Sequence, residues 1–272
     1  MKYIKLKKTI NKILWILTEQ IGIDLIKIFL FVPNALRYIY DLKKFKGLDG
    51  RSALHLKPCL HDWHQEAGIT KSEYFWQDLM VARWIHEDNP QKHVDIGSRI
   101  DGFVAHVASF RELEVFDVRP ITTEIPGVKF QQADLMDVTS LPTSSLGGYC
   151  DSLSCLHALE HFGLGRYGDK INPQGFRLGL ENMAFLVKPD GVLYLSTPIG
   201  KDRIEFNANW VFHPQTILNI ARSSGLILHS LVTISTTGLI KEWPNNNTSI
   251  DEIGAQDYSL GIFRFIKSHP TD

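Results

Sequence analysis

The sequence predicts an α/β fold, a mostly parallel sheet of seven strands with helices on both faces, preceded by a separate helical extension. Three observations carry this. His93-Val-Asp-Ile-Gly-Ser-Arg-Ile-Asp-Gly-Phe103 reads as a short strand, a loop with two glycines and the start of a helix. That arrangement lets backbone and helix N–H groups approach a nucleotide-type ligand. Strand-like and helix-like runs then alternate through the rest of the sequence, as in parallel sheets joined by crossover helices. The first 46 residues break the pattern, being apolar and basic at once.

The 272 residues, 44% of them apolar, suffice for one large core with an extension. The net charge of −1 hides an asymmetry: residues 1–46 carry ten Lys/Arg against three acids, and the remainder carries 19 against 27. A basic front on an acidic body points to a membrane surface as partner of the front, and the body lacks the basic surplus of a nucleic-acid binder. Cys59, Cys150 and Cys155 are odd in number and unpatterned, which argues against a disulfide framework. A cytoplasmic protein, at the inner face of the membrane if the front binds lipid, is the expectation.

Taken in order, Ile10, Leu14, Leu17, Ile21, Leu25 and Ile28 follow helical spacing. The run 13–32 approaches bilayer length, but Glu19, Gln20, Asp24 and Lys27 interrupt it, and a charge near the bilayer centre costs about 2.5–3.5 kcal/mol. Neither a transmembrane span nor a signal peptide is expected, since the uninterrupted core 13–17 is short and no cleavage site follows. Pro33 is expected to end the helix, with a second one over 34–45. This arm, 1–46, either lies on an anionic membrane or packs on the body or a second subunit. Residues 47–272 form the main domain. Its early histidines His55, His61 and His64, with Cys59, match no zinc spacing and read as loop residues. A helix begins after Ser72, with Phe75, Leu79, Ala82 and Ile85 on one side, and ends at Asn89-Pro90. Strands are expected to begin at 94–95 and to lie at 114–118, 128–132, 149–153, 191–197, 226–234 and 259–266, and helices at 104–110, 176–186 and 214–223.

Five segments carry a resemblance. Asp95-Ile-Gly97 opens the glycine loop. Asp117, followed by Val118, ends the second strand, and Asp134-Leu135 follows the third. Asp151 to His161 covers the fourth strand and its sequel, and Leu186-Val-Lys-Pro-Asp-Gly-Val-Leu-Tyr-Leu195 the turn and fifth strand. In this order, residues 73–267 resemble the Rossmann-like S-adenosylmethionine (SAM)-dependent methyltransferases. The whole chain also resembles a family of uncharacterised bacterial and nematode proteins, defined only as a domain of unknown function, from surface-polysaccharide gene clusters. The first resemblance implies a doubly wound sheet with an antiparallel last strand, SAM as cofactor, and Asp134 on the adenine amino group with Leu135 beside the ring. The second implies a place in surface-polysaccharide biosynthesis. Asp117 stands 20 residues beyond Gly97, the separation expected of a strand-end acid accepting both ribose hydroxyls.

The glycine loop departs from the family pattern, with Arg99 and Asp101 where glycines are usual and only Gly102 as a late replacement. Three arrangements are open: the two side chains narrow the methionine pocket, they pair with the methionine carboxylate and ammonium, or they pair with each other.

His157-Ala-Leu-Glu160-His161 also spells the H-x-x-E-H of inverted zinc peptidases, but it follows a strand rather than lying in a long helix, and no third ligand stands out. No metal is expected. The resemblance instead puts His157 near the adenine edge and His161, with Glu160, toward the methyl acceptor. His161 is the candidate general base because imidazole titrates near neutral pH; its other reading is a histidine hydrogen-bonded at a helix end. Arg166, Tyr167 and Asp169, then Asn209, Trp210 and His213, are candidates to hold a small-molecule or glycan acceptor, with Trp210 alternatively packing its own loop. The function expected is methyl transfer to a hydroxyl. A non-catalytic nucleotide-sugar holder and a zinc hydrolase are the rivals. A homo-oligomer is compatible with the sequence.

Overall fold

The computed structural model describes residues 2–49, 54–63, 65–142 and 147–269, so His64 lies outside the described residues. Its contacts divide the chain into two compact units, 1–68 and 69–272.

The first unit holds helix α1 (Lys2–Trp15), a π-helical turn at Ile16–Gln20 and helix α2 (Leu25–Asp49). The break lies between them, not at Pro33. Gly22 takes φ +80°, which stops the first helix, and the Asp24 carboxylate accepts the N–H groups of Ile26 and Lys27, which starts the second. With a restart already supplied, α2 runs on through Pro33, forgoing that residue's backbone donor. No helix among the described residues is long and apolar enough to cross a membrane.

The second unit opens with α3 (Glu73–Asp88), capped by Ser72 and closed by Asn89 in the left-handed region. Strand β1 (His93–Ile96) follows, then a π-turn at Ile100–Val104 and a short α4 (Ala105–Ala108). This helix is shorter than its sequence suggests, because the N–H groups of Phe110 and Arg111 both turn back to the Val107 carbonyl. The remaining elements are β2 (Leu113–Asp117), β3 (Val128–Gln132), β4 (Cys150–Leu156), α5 (Gly175–Leu186), β5 (Val187–Ile199), β6 (Arg203–Glu205), β7 (Asn209–Val211), α6 (Pro214–Ser223), β8 (Leu226–Ile234), β9 (Ile240–Trp243), α7 (Asn247–Gly254) and β10 (Ser259–Lys267).

The main sheet runs β3-β2-β1-β4-β5-β10-β8-β9, parallel from β3 to β5, with β10 antiparallel to both neighbours. Among the described residues it has eight strands rather than seven. The extra one, β9, pairs antiparallel with β8 and exposes Ile240, Lys241 and Glu242, so it lacks the apolar signature of the inner strands. After β5, β6 and β7 form a small hairpin whose following residue, Phe212, bridges to Ile199 at the end of β5. Two buried layers hold the sheet. Val81, Ile85, Phe103 and Val107 cover one face, and Leu180, Met183, Ile217 and Ile253 the other. Hence β1 and β4 are buried on both sides, as in a covered parallel sheet, and their polar residues His93, Asp95, Ser152 and Ser154 are buried with them.

Candidate cofactor and acceptor site

A cavity of about 270 Å³ opens at the carboxyl ends of β1, β2 and β4, where open α/β sheets place their ligands. Asp95 lies beneath it, fully buried, and does not line it. Its carboxylate accepts the hydroxyls of Ser98 and Ser154, each at 2.6 Å, and the Ser98 N–H at 3.1 Å, while the Ser98 hydroxyl accepts the Leu156 N–H. Asp95 therefore ties the glycine loop to β4 instead of meeting a ligand, a correction to its expected role. Burial pushes its carboxyl up to about 7, against the pull of these hydrogen bonds. Gly97 does line the cavity, at φ +67°, and a Cβ there would meet that of Ala158 at 3.0 Å.

Of the three arrangements open for the charged loop, the structure has the last. Arg99 donates to Asp101 through Nε at 3.2 Å and Nη2 at 2.9 Å. Arg99 also lines the cavity, 5.6 Å from the ring of Tyr74, but Asp101 points to solvent and Gly102 sits against Asp78. Asp101 and Gly102 thus drop out of the lining. Gly102 is the kink at which the π-turn leaves helical geometry, so the chain turns away from the cavity there.

Asp117, Val118, Asp134, Leu135 and His157 all line the cavity. Asp117 is already engaged: Oδ1 accepts the Arg119 N–H at 2.8 Å and Nε at 3.0 Å, and Oδ2 accepts Nη2 at 2.6 Å. Arg119 also covers the ring of Tyr167 at 4.5 Å. Sequence reasoning missed this arginine, although its place two residues after a strand-end acid was a usable signal.

Beyond Leu156 the chain bends sharply. His157 takes φ 53°, and only a 3-10 turn, Leu159–His161, follows. The two histidines are therefore not one α-helical turn apart, which removes the geometry a zinc peptidase needs. Among the described residues no group of three or more His, Cys, Asp or Glu could hold a metal. His157 donates Nδ1–H to Glu160 at 2.7 Å, has its Nε2 3.4 Å from Glu73 and stacks on Tyr74 at 4.5 Å. Burial opposes a charge on this ring, yet the two carboxylates outweigh it and raise its pKa to about 9. Burial likewise opposes the charge on Glu160, and His157 outweighs it, so Glu160 stays below the usual range. The pair is an imidazolium and a carboxylate, charged together inside the protein.

His161 differs. Its Nδ1 lies 2.7 Å from the carbonyl of Ala208. A carbonyl only accepts, so Nδ1 carries the hydrogen and Nε2 keeps its lone pair. Burial lowers its pKa, opposed by Glu160 and helped by Arg166. The cavity thus holds one charged and one neutral histidine, separated by Glu160.

Arg166, Tyr167, Asp169 and Asn209 line the outer rim. Arg166 donates to the Ala208 carbonyl at 2.9 Å, and Tyr167 meets His161 edge-on at 5.3 Å. Asp169 accepts the N–H groups of Gly163, Gly165 and Tyr167, so it shapes the loop that presents them. Trp210 and His213 lie outside the lining. Trp210 packs between Phe176 and Phe212, and His213 caps α6 by accepting the Gln215 N–H, its ring against Gly254. Both are spent on packing and capping. In their stead stand three residues the sequence did not flag: Glu73, Tyr74 and Tyr258, whose hydroxyl donates to Glu73 at 2.7 Å. The antiparallel β10 starts at the edge where parallel strands end, and α3 begins there too. That topological rule was the available signal.

Sheet order and cavity position define a Rossmann-like fold of the kind the methyltransferases use. The family model described as a Caenorhabditis protein of unknown function, DUF268, matches residues 135–220. No curated protein matches the chain. Among solved structures, the chain is similar to Burkholderia thailandensis 1,6-didemethyltoxoflavin-N1-methyltransferase, bound to 1,6-didemethyltoxoflavin and S-adenosylhomocysteine. The TM-score is 0.51 at 14% identity, over 86% of this chain and 88% of that one. It is also similar to the N-methyltransferase NodS of Bradyrhizobium japonicum WM9, at TM-score 0.49 and 15% identity, over 76% of this chain and 92% of that one. The first likeness establishes the shared fold.

Proposed function

We propose that the chain is a SAM-dependent methyltransferase acting on a hydroxyl of a small molecule or glycan intermediate, in cytoplasmic steps of surface-polysaccharide biosynthesis. The observation that carries the reading is the neutral His161 on the wall of the same cavity as Asp117 and Asp134. Glu73 Oε2 is buried on that wall without a hydrogen-bond partner, as fits a site built for a polar ligand. Asp117 would hold the ribose, Asp134 and Leu135 the adenine, and Glu73 and Arg99 the two charged ends of the methionine part. SAM supplies a methyl group on a sulfonium, open to attack from the side opposite sulfur. The chain's part is alignment and proton removal. His161 Nε2 accepts the hydroxyl proton, and Glu160, 3.9 Å away, favours the imidazolium that forms. Arg166, Tyr167 and Asn209 offer the donors and the ring face that suit a sugar. The resemblance to proteins of surface-polysaccharide clusters supports the pathway.

Calorimetric titration of the purified chain with SAM tests the cofactor. Saturable binding that Asp117→Ala weakens by about tenfold or more, as expected for loss of charge-assisted hydrogen bonds, supports the reading. Absence of binding, or equal affinity in the variant, overturns it.

A further inference from the structure

Among the described residues of α1 and α2, the apolar side chains find no cover within their own unit. From Thr9 to Leu48 not one residue is buried. On α2, Ile26, Phe29, Val32, Leu36 and Tyr40 are 62–82% exposed, and Ile10, Ile13, Trp15 and Ile21 are exposed ahead of it. Single exposed apolar side chains are ordinary, but a contiguous set of this size marks an interaction surface.

Two features identify what covers it. Between Leu25 and Leu42 the polar residues are only Lys27, Asn34, Arg37 and Asp41, at intervals of seven, three and four. Such intervals draw one narrow polar strip along a helix and leave the other sides apolar. A helix pairing with a second copy shows the reverse, a narrow apolar seam on a polar cylinder. A helix sunk into the upper part of a bilayer, with one strip toward water, has the observed distribution. The second feature is charge. Lys2, Lys5, Lys7, Lys8 and Lys12 precede the apolar stretch, and Lys43, Lys44 and Lys46 follow it. Cations at both ends suit phosphate headgroups met on one side of a membrane. A span is excluded by the interruptions at Glu19, Asp24 and Lys27, and the break at Gly22 lets the two helices adopt separate tilts.

We propose that residues 1–49 form a monotopic anchor on an anionic phospholipid surface. The apolar faces of α1 and α2 enter the headgroup–acyl boundary, and the flanking lysines meet the lipid phosphates. The anchor is independent of the cofactor reading.

The test is co-sedimentation of the full chain with vesicles of phosphatidylcholine containing phosphatidylglycerol, and with phosphatidylcholine alone. The expected result is binding to the anionic vesicles and little to the neutral ones, with release as salt rises. Replacing Lys43, Lys44 and Lys46 together by Glu should weaken binding at least about tenfold, since each basic residue near the surface contributes severalfold. Phe29→Glu should weaken it as well, with circular dichroism unchanged. Absence of vesicle binding, or equal binding to neutral vesicles, overturns the proposal. So does a lipid-free oligomer in sedimentation velocity that Phe29→Glu dissociates, because the apolar face would then belong to a second copy. No methyl donor enters the assay, so its failure leaves the SAM site standing.

Discussion

His161 holds its Nδ1 hydrogen on the carbonyl of Ala208, 47 residues further along the chain and 2.7 Å away. The bond fixes the tautomer, and burial keeps the ring neutral below its ordinary titration range. A base must be unprotonated to act, so a lowered pKa extends activity to the acid side. Transfer should persist below pH 6.5 and fall only on further acidification. His161→Ala should lose turnover while SAM affinity by calorimetry stays within about twofold, because the ring is assigned to the acceptor and not to the cofactor. A pH–rate profile unchanged in the variant would remove His161 as base.

Arg119 competes for Asp117. A carboxylate offers about four acceptor positions, and Arg119 takes three of them. The ribose can be held by both oxygens only if the half-exposed guanidinium swings out. Arg119→Met should therefore tighten SAM binding, and Asp117→Ala should weaken it. Looser binding in Arg119→Met would show that the arginine itself meets the ligand.

The pairing of His157 with Glu160 has a signature in stability. The folded pKa of His157, about 9, exceeds the ordinary 6.5, so the pair's stabilisation is complete below pH 6.5 and fades as pH rises through 9. Thermal midpoints should decline over that range. Glu160→Gln should flatten the decline and, by breaking a buried ion pair, cost about 3–5 kcal/mol near neutral pH. A variant with wild-type midpoints at every pH would show the pair to be energetically idle.

Asp95 works in the opposite sense to a surface carboxylate. With its pKa raised from 3.8 to about 7, the folded state holds the proton more tightly than the unfolded chain. Stability contributed by this group is lost as pH climbs from about 4 through 7. Asp95→Asn keeps an acceptor for Ser98 and Ser154 without the buried charge. It should gain on the wild type between pH 5 and 8 in urea denaturation; a constant difference would mean that Asp95 is ionised throughout.

The fold was legible because it rests on periodicity and punctuation. The central strands β1, β4, β5 and β10 are mostly buried, and the Gly97 loop marks the end of the first of them. Strand β9 was not legible, since an exposed edge strand has no apolar run to betray it. The cavity lining was legible where residues follow strand ends, as with Asp117, Asp134 and His157, and in the turn after β4, as with His161. It failed where neighbours decide: Asp95 is claimed by two serines, Asp101 by Arg99, His213 by its own helix and Trp210 by two phenylalanines. Glu73 and Tyr258 stand 185 residues apart and meet only through topology.

That last contact bears on how the protein is made. Strand β10 is the last strand in sequence, yet it lies inside the sheet, filling the gap between β5 and β8. Until it is threaded in, those two strands present open edges to any neighbouring nascent chain. Tyr258, which precedes it, reaches the cavity wall at the same moment. A ribosome-bound chain lacking this strand would have its early βα units in place but no finished cavity. Ligand affinity would then arise only once the sheet has closed.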